Sequence, residues 1–137
     1  MKKKKVLIIT SRYNHYIVEG LIRSASKQLN TQSWIQKSII EVPGAFEIPV
    51  TIEKYIKKFD GIVALGCIIK GETNNFELIS KSITEALMQL SIKHKKPIGN
   101  GVISCFNIKQ AQARKDKGRE AAVAVQLVLS NNITKID

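Results

Sequence analysis

Four short runs dense in β-branched and other apolar residues constrain this chain most: Lys5–Thr10, Ser38–Val42, Gly61–Ile69 and Ile98–Ser104. Runs this apolar suit strands buried on both faces, as in a parallel sheet. Between them the pattern turns helical. Ile17, Val18, Leu21, Ile22, Ala25 and Leu29 form one apolar stripe, and Phe76, Ile79, Ile83, Ala86, Leu87 and Leu90 form another. Ala45–Lys57 predicts a shorter helix with Pro49 in its early turns, where a missing N–H costs least. A last helical region is expected over about Ile108–Ser130. The order β-α-β-α-β-α-β-α implies the α/β class, as a three-layer flavodoxin-like domain. Its four-stranded parallel sheet is flanked by helices and joined by right-handed crossovers.

Composition narrows the function classes. The chain has 137 residues, enough for one domain over residues 1–137 with residues 1–5 as a basic tail. Apolar residues make up 44% and charged residues 24%, which argues for a packed core over a disordered chain. Lys plus Arg number 22 against 11 Asp plus Glu, a net charge of +11, so anionic partners are expected. No apolar run approaches the roughly 20 residues that span a membrane. The lysines of Met1–Lys5 before Val6–Thr10 look like the start of a signal peptide, but the apolar stretch stops at Ser11-Arg12 with no cleavage site. Cys67 and Cys105 form no CxxC and have no His or Cys beside them. They are expected to be reduced core thiols in a cytoplasmic protein, with no disulfide and no metal site. In the last helix, Ala121–Leu129 has Gln126 as its sole polar residue. Its second face therefore needs a cover, and another subunit is the expected one.

In such sheets ligands sit beyond the carboxyl ends of the strands, where helix N-termini offer N–H groups to anions. Four loops qualify: Ser11–His15, Val42–Glu47, Lys70–Asn75 and Ser104–Asn107. Lys70-Gly71-Glu72-Thr73-Asn74-Asn75 can cradle a phosphate, or Thr73 or Asn74 can simply cap the next helix. It matches neither GxxxxGK[ST] nor GxGxxG. Glu47 either complements a helix dipole or accepts hydrogen bonds from ligand hydroxyls. The cluster Lys109, Arg114, Lys115, Lys117 and Arg119 is either a solvated face or a phosphate site with Arg114 bidentate. No aromatic residue lies within it, so nucleic acid is not expected as a partner, and neither is a membrane. His94, among lysines, reads as surface filler, and His15 lies beside the Tyr13 loop.

Taken in order, the segments resemble the 6,7-dimethyl-8-ribityllumazine synthase family. They are Ser11-Arg12-Tyr13-Asn14, Glu41–Pro49 (EVPGAFEIP), Ala64–Thr73 (ALGCIIKGET), Pro97–Ser104 (PIGNGVIS), Gln110–Arg114 (QAQAR) and Lys117–Ala122 (KGREAA). VPGAFEIP followed by GxxIKGET is highly specific, and the match covers nearly the whole chain. The resemblance implies a transferase of riboflavin biosynthesis. It condenses 5-amino-6-(D-ribitylamino)uracil with 3,4-dihydroxy-2-butanone 4-phosphate, releases phosphate and water, and needs no cofactor. It further implies homo-oligomers with sites between neighbouring subunits. The chain starts almost at its first strand and is short between Arg114 and Lys117, which favours a pentamer or a decamer of two pentamers over a shell.

Carried over by position, the resemblance assigns Tyr13 to stacking on the pyrimidine and Ala45, Phe46 and Glu47 to its border, with Glu47 on ribityl hydroxyls. Cys67, Ile68 and Ile69 offer backbone groups to the pyrimidine, and Glu72 and Thr73 bind the phosphorylated ketone. Asn100 comes from the neighbouring subunit, Arg114 pairs with the phosphate, and Lys117 lies close by. Asn75 stands where the family usually has its proton-transferring histidine, and Asn cannot exchange a proton near neutral pH. His15 is a candidate substitute. Alternatives are a non-catalytic flavin- or lumazine-binding homologue, an archaeal-type riboflavin synthase, and a basic nucleic-acid or membrane-surface protein.

Overall fold

The strands lie in the order β2-β1-β3-β4, all parallel. They are β1 (Lys4–Ser11), β2 (Ile35–Val42), β3 (Gly61–Ile69) and β4 (Ile98–Cys105) in the computed structural model. It describes residues 2–72 and 75–137, and only the backbone of Glu72. The helices are α1 (His15–Leu29), α2 (Ile48–Tyr55), α3 (Phe76–His94), α4 (Ile108–Gln112) and α5 (Lys117–Ser130). Single 3₁₀ turns at Ala45–Glu47 and Ile56–Lys58 bracket α2.

The three layers follow from alternation along the central strands. Val6 and Ile8 of β1 point with Val63, Leu65 and Cys67 of β3 toward α1 and α5. Leu7 and Ile9 point with Ile62 and Ala64 toward α2 and α3. All nine residues of β3 are buried, as its unbroken apolar run requires.

Two expectations need correction. Ser38–Val42 and Ile98–Ser104 are not buried on both faces: β2 and β4 are the edge strands, with Ile39 55% exposed on one and Asn100 exposed on the other. An apolar run alone does not say whether a strand is central or at the edge. The helical region at Ile108–Ser130 is not continuous; it breaks at residues 113–116. There Arg114 N–H donates to Ala111 O and Lys117 N–H to Arg114 O, one residue tighter than an α-helix. The sole polar residue of Ala121–Leu129, Gln126, faces inward. Its Oε1 accepts from Gln28 Nε2 (2.8 Å) and its Nε2 donates to Gln28 O (2.9 Å), which satisfies it between α1 and α5. Leu127 and Val128 face outward instead.

Two close approaches fix α5. A Cβ on Gly118 would lie 2.1 Å from Leu21 O of α1, and one on Gly99 would lie 2.2 Å from Ala121 O. Only glycine lets α5 approach both α1 and β4 this closely. Both cysteines are buried, and burial pushes the Cys105 thiol up, with the Arg114 charge opposing the shift. No described helix is long and apolar enough to cross a membrane.

Candidate active site

The first site element is the turn after β1. Asn14 adopts a left-handed conformation (φ 61°) that asparagine tolerates better than most residues. Its buried Nδ2 donates to Cys67 O at 3.1 Å, tying this turn to the end of β3. Arg12 and Tyr13 N–H donate to Val42 O and Pro43 O, which ties it to the end of β2. Tyr13 is thereby held 56% exposed, and Phe46, on the 3₁₀ turn after β2, is 67% exposed. Glu47 Oε1 accepts from Gly44 N–H at 2.9 Å, so this carboxylate shapes the turn with one oxygen. Together Tyr13, Ala45, Phe46, Cys67, Ile68 and Ile69 line an apolar cleft of about 170 Å³, with Gly44 and Ile79.

A second cleft, of about 430 Å³, lies along the outer edge of β4. Asn100, Ser104, Arg114, Asp116, Lys117 and Glu120 supply its polar lining. The cations in it and beside it are not equivalent. Arg119 is held by Asp116 through three hydrogen bonds of 2.8–3.1 Å. This pairing pulls the Asp116 carboxyl below its usual range and raises the Arg119 guanidinium. Lys117 Nζ lies 3.6 Å from Glu120 Oε1. Arg114 alone of the three makes no ion pair among the described residues; its Nη1 reaches only Ser104 O, at 3.5 Å. A guanidinium with its fork unspent is the group best suited to an arriving phosphate. Asn100 Oδ1 accepts from Val102 N–H at 3.0 Å, satisfying an edge-strand donor within the same cleft.

Ser24 sets the position of Arg114. Its Oγ donates to Lys115 O (2.8 Å) and accepts from Arg119 N–H (3.1 Å), locking the 113–116 break against α1. Ser24 and Asn14 are the two positioning residues that sequence reasoning did not single out. Asn14 carries a signal in hindsight, an asparagine at a strand-to-helix turn. Ser24 carries none, since its partners are 91 and 95 residues away.

Comparisons with known proteins identify the family. The family model for 6,7-dimethyl-8-ribityllumazine synthase matches residues 3–131. A protein of that name from Polaromonas sp. is 35% identical over 132 residues, covering 92% of this chain and 86% of the relative. One from Sulfurimonas denitrificans is 36% identical, covering 89% and 85%. One from Methylibium petroleiphilum is 38% identical, covering 90% and 81%. This chain belongs to the 6,7-dimethyl-8-ribityllumazine synthase family.

Within a lumazine synthase family member, the expected site residues fall into two groups. Tyr13, Ala45, Phe46, Cys67, Ile68 and Ile69 gather in the apolar cleft, with Glu47 at its turn; Asn100, Arg114 and Lys117 gather in the other. Thr73 and the Glu72 side chain lie outside the described residues. Asn75 sits immediately before α3, with its carbonyl accepting from Ile79 N–H at 2.9 Å. His15 begins α1 edge-on to Tyr16 and lines neither cleft. His94 is not surface filler. Its side chain is 10% exposed, and Nε2 meets Glu53 Oε2 at 2.9 Å, joining α3 to α2.

Proposed function

We propose that this chain catalyses the condensation of 5-amino-6-(D-ribitylamino)uracil with 3,4-dihydroxy-2-butanone 4-phosphate to 6,7-dimethyl-8-ribityllumazine, releasing phosphate and water, in riboflavin biosynthesis in the cytoplasm. The carrying observation is the division between the two clefts. One offers exposed aromatic rings and strand-end backbone, suited to a flat pyrimidine; the other offers an unpaired guanidinium, suited to a phosphate. In this reading Tyr13 stacks on the pyrimidine, and Ala45, Phe46, Cys67, Ile68 and Ile69 border it. Glu47 uses its second carboxylate oxygen for ribityl hydroxyls. Glu72 and Thr73 hold the phosphorylated ketone. Arg114, with Lys117 beside it, stabilises the leaving phosphate, where fixed positive charge counts most.

Each cleft is half a site, and the functional unit is a homo-oligomer, a pentamer or a decamer of two pentamers. The apolar cleft of one subunit meets the basic cleft of its neighbour, Asn100 included. The outward Leu127 and Val128 of α5 and Met88 and Ile92 of α3 support burial between subunits. The experiment is to mix both substrates with the purified protein and follow lumazine absorbance. Lumazine formation that collapses in Arg114→Ala is the expected result; no product, or riboflavin made from lumazine, contradicts it.

Asn75 favours a second reading, a protein that binds ribityl-pyrimidines without turnover. General acid–base help is typically worth roughly 10²–10⁴-fold, so its loss slows a reaction driven by positioning without abolishing it. Asn75→His is expected to raise kcat in steady-state assays. An unchanged kcat with intact folding shows that proton transfer at this position does not limit the rate.

A further inference from the structure

The far end of the sheet carries a feature that the condensation does not use. Lys2–Lys5, Lys57, Lys58 and Lys96 converge on a cavity of about 330 Å³ at the amino ends of β1, β3 and β4. This volume lies at the lower end of the roughly 300–1,000 Å³ common for small-molecule sites. The lysines come from three separated stretches of sequence and are held in place by the backbone. Lys4 N–H donates to Trp34 O (2.8 Å), Lys5 N–H to Asp60 Oδ2 (2.7 Å), and Asp60 N–H to Lys5 O (2.8 Å). Lys96 Nζ donates to Ile56 O at 2.9 Å, drawing that charge against the turn that carries Lys57 and Lys58.

Seven lysines thus line a basin whose one carboxylate is Asp60, and among the described residues none of them is in an ion pair. Like charges gathered in a concave basin repel one another and raise the local positive potential. We propose that this basin binds a triphosphate chain, either inorganic or carried by a nucleoside. Lysine acts as a compact point charge with no preferred plane, which suits clustered phosphates better than a single planar carboxylate. The basin shape favours a compact anion over an extended nucleic-acid strand. Its one aromatic residue, Phe59, is half-buried against the α2–α3 core, a single ring with no second one beside it to stack successive bases.

Calorimetric titration of the whole protein with sodium tripolyphosphate, ATP, orthophosphate and a single-stranded oligonucleotide tests this. Binding of one tripolyphosphate per chain is expected. Its affinity should fall with added salt and by roughly tenfold or more in Lys57→Gln/Lys58→Gln. Arg114→Ala should leave this binding intact, which separates it from phosphate capture at the other end of the sheet. Equal affinity for ATP means the phosphate chain alone is read, and tighter binding means the nucleoside is read as well. Three results overturn the proposal: no tripolyphosphate binding, binding insensitive to the double substitution, or an oligonucleotide binding more tightly than either triphosphate.

Discussion

The two clefts near the carboxyl ends of the strands differ in how they are built. The apolar cleft rests on turns tied down by side-chain hydrogen bonds, Asn14 to the end of β3 at Cys67 and Glu47 to Gly44 within its own turn. The basic cleft rests on the break between α4 and α5, which the Ser24 hydroxyl fastens to α1 beside the close Gly118 approach. One presents surface for a ring, and the other presents a charge whose neighbours are already neutralised. The comparison teaches that Arg114 stands out through the occupation of its neighbours as much as through its own position. Arg119 and Lys117 face Asp116 and Glu120, which leaves Arg114 as the available cation of the three.

The largest expected effect breaks the basic cleft alone. Arg114→Ala should lower kcat/KM for the phosphorylated ketone by roughly 10²–10³-fold, about 3–4 kcal/mol of barrier, with affinity for the pyrimidine nearly unchanged. Arg119→Ala, which removes a cation already spent on Asp116, should cost far less in the same steady-state assay. Equal losses would show that total charge matters and that position does not.

Smaller effects are expected from the two anchors. Ser24→Ala and Asn14→Ala should each cost about 1–2 kcal/mol of stability in denaturant titrations, through unmade hydrogen bonds and, at Asn14, a strained positive φ. Their kinetic signatures should divide. Ser24→Ala should raise KM for the ketone phosphate, and Asn14→Ala should raise KM for the pyrimidine.

The smallest effect belongs to a contact in neither cleft. Hydrogen bonds from His94 and Lys93 hold the Glu53 carboxyl below the usual glutamate range. A depressed folded pKa contributes stability that is present above roughly pH 4–5 and is lost as pH falls through the folded value. Glu53→Gln should therefore lower Tm slightly near neutrality, and the gap to the unaltered protein should close on acidification. Both KM values should stay unchanged.

Much of this architecture was legible in the amino-acid pattern. The run Gly61–Ile69 marks a strand buried on both faces, and the stripe Ile17 to Leu29 marks the helix that covers it. Motif order picked out most of the residues that gather in the two clefts. What escaped was non-local. Nothing in Ile35–Val42 says that it lies at an edge, and nothing in Gln126 says that a glutamine on α1 will satisfy it. The break at 113–116 has no Gly or Pro to announce it, and the hydroxyl that fastens it, that of Ser24, lies far away in sequence. The gathering of Lys2–Lys5 with Lys57, Lys58 and Lys96 likewise depends on the sheet bringing three strand starts together.

The central claim is that the two clefts complete one another across a subunit boundary, and mixed oligomers test it directly. One parent carries Arg114→Ala and the other carries Tyr13→Ala with Phe46→Ala. All three side chains are exposed, so both parents should fold. The two inactive chains are refolded together, and lumazine formation is measured against each parent alone. Random assembly in a ring pairs an intact apolar cleft with an intact basic cleft at roughly a quarter of the boundaries. The account predicts recovery of about that fraction of the unaltered activity. A mixture that forms hybrid oligomers by mass yet stays as inactive as its parents would place both halves of the site in the same chain.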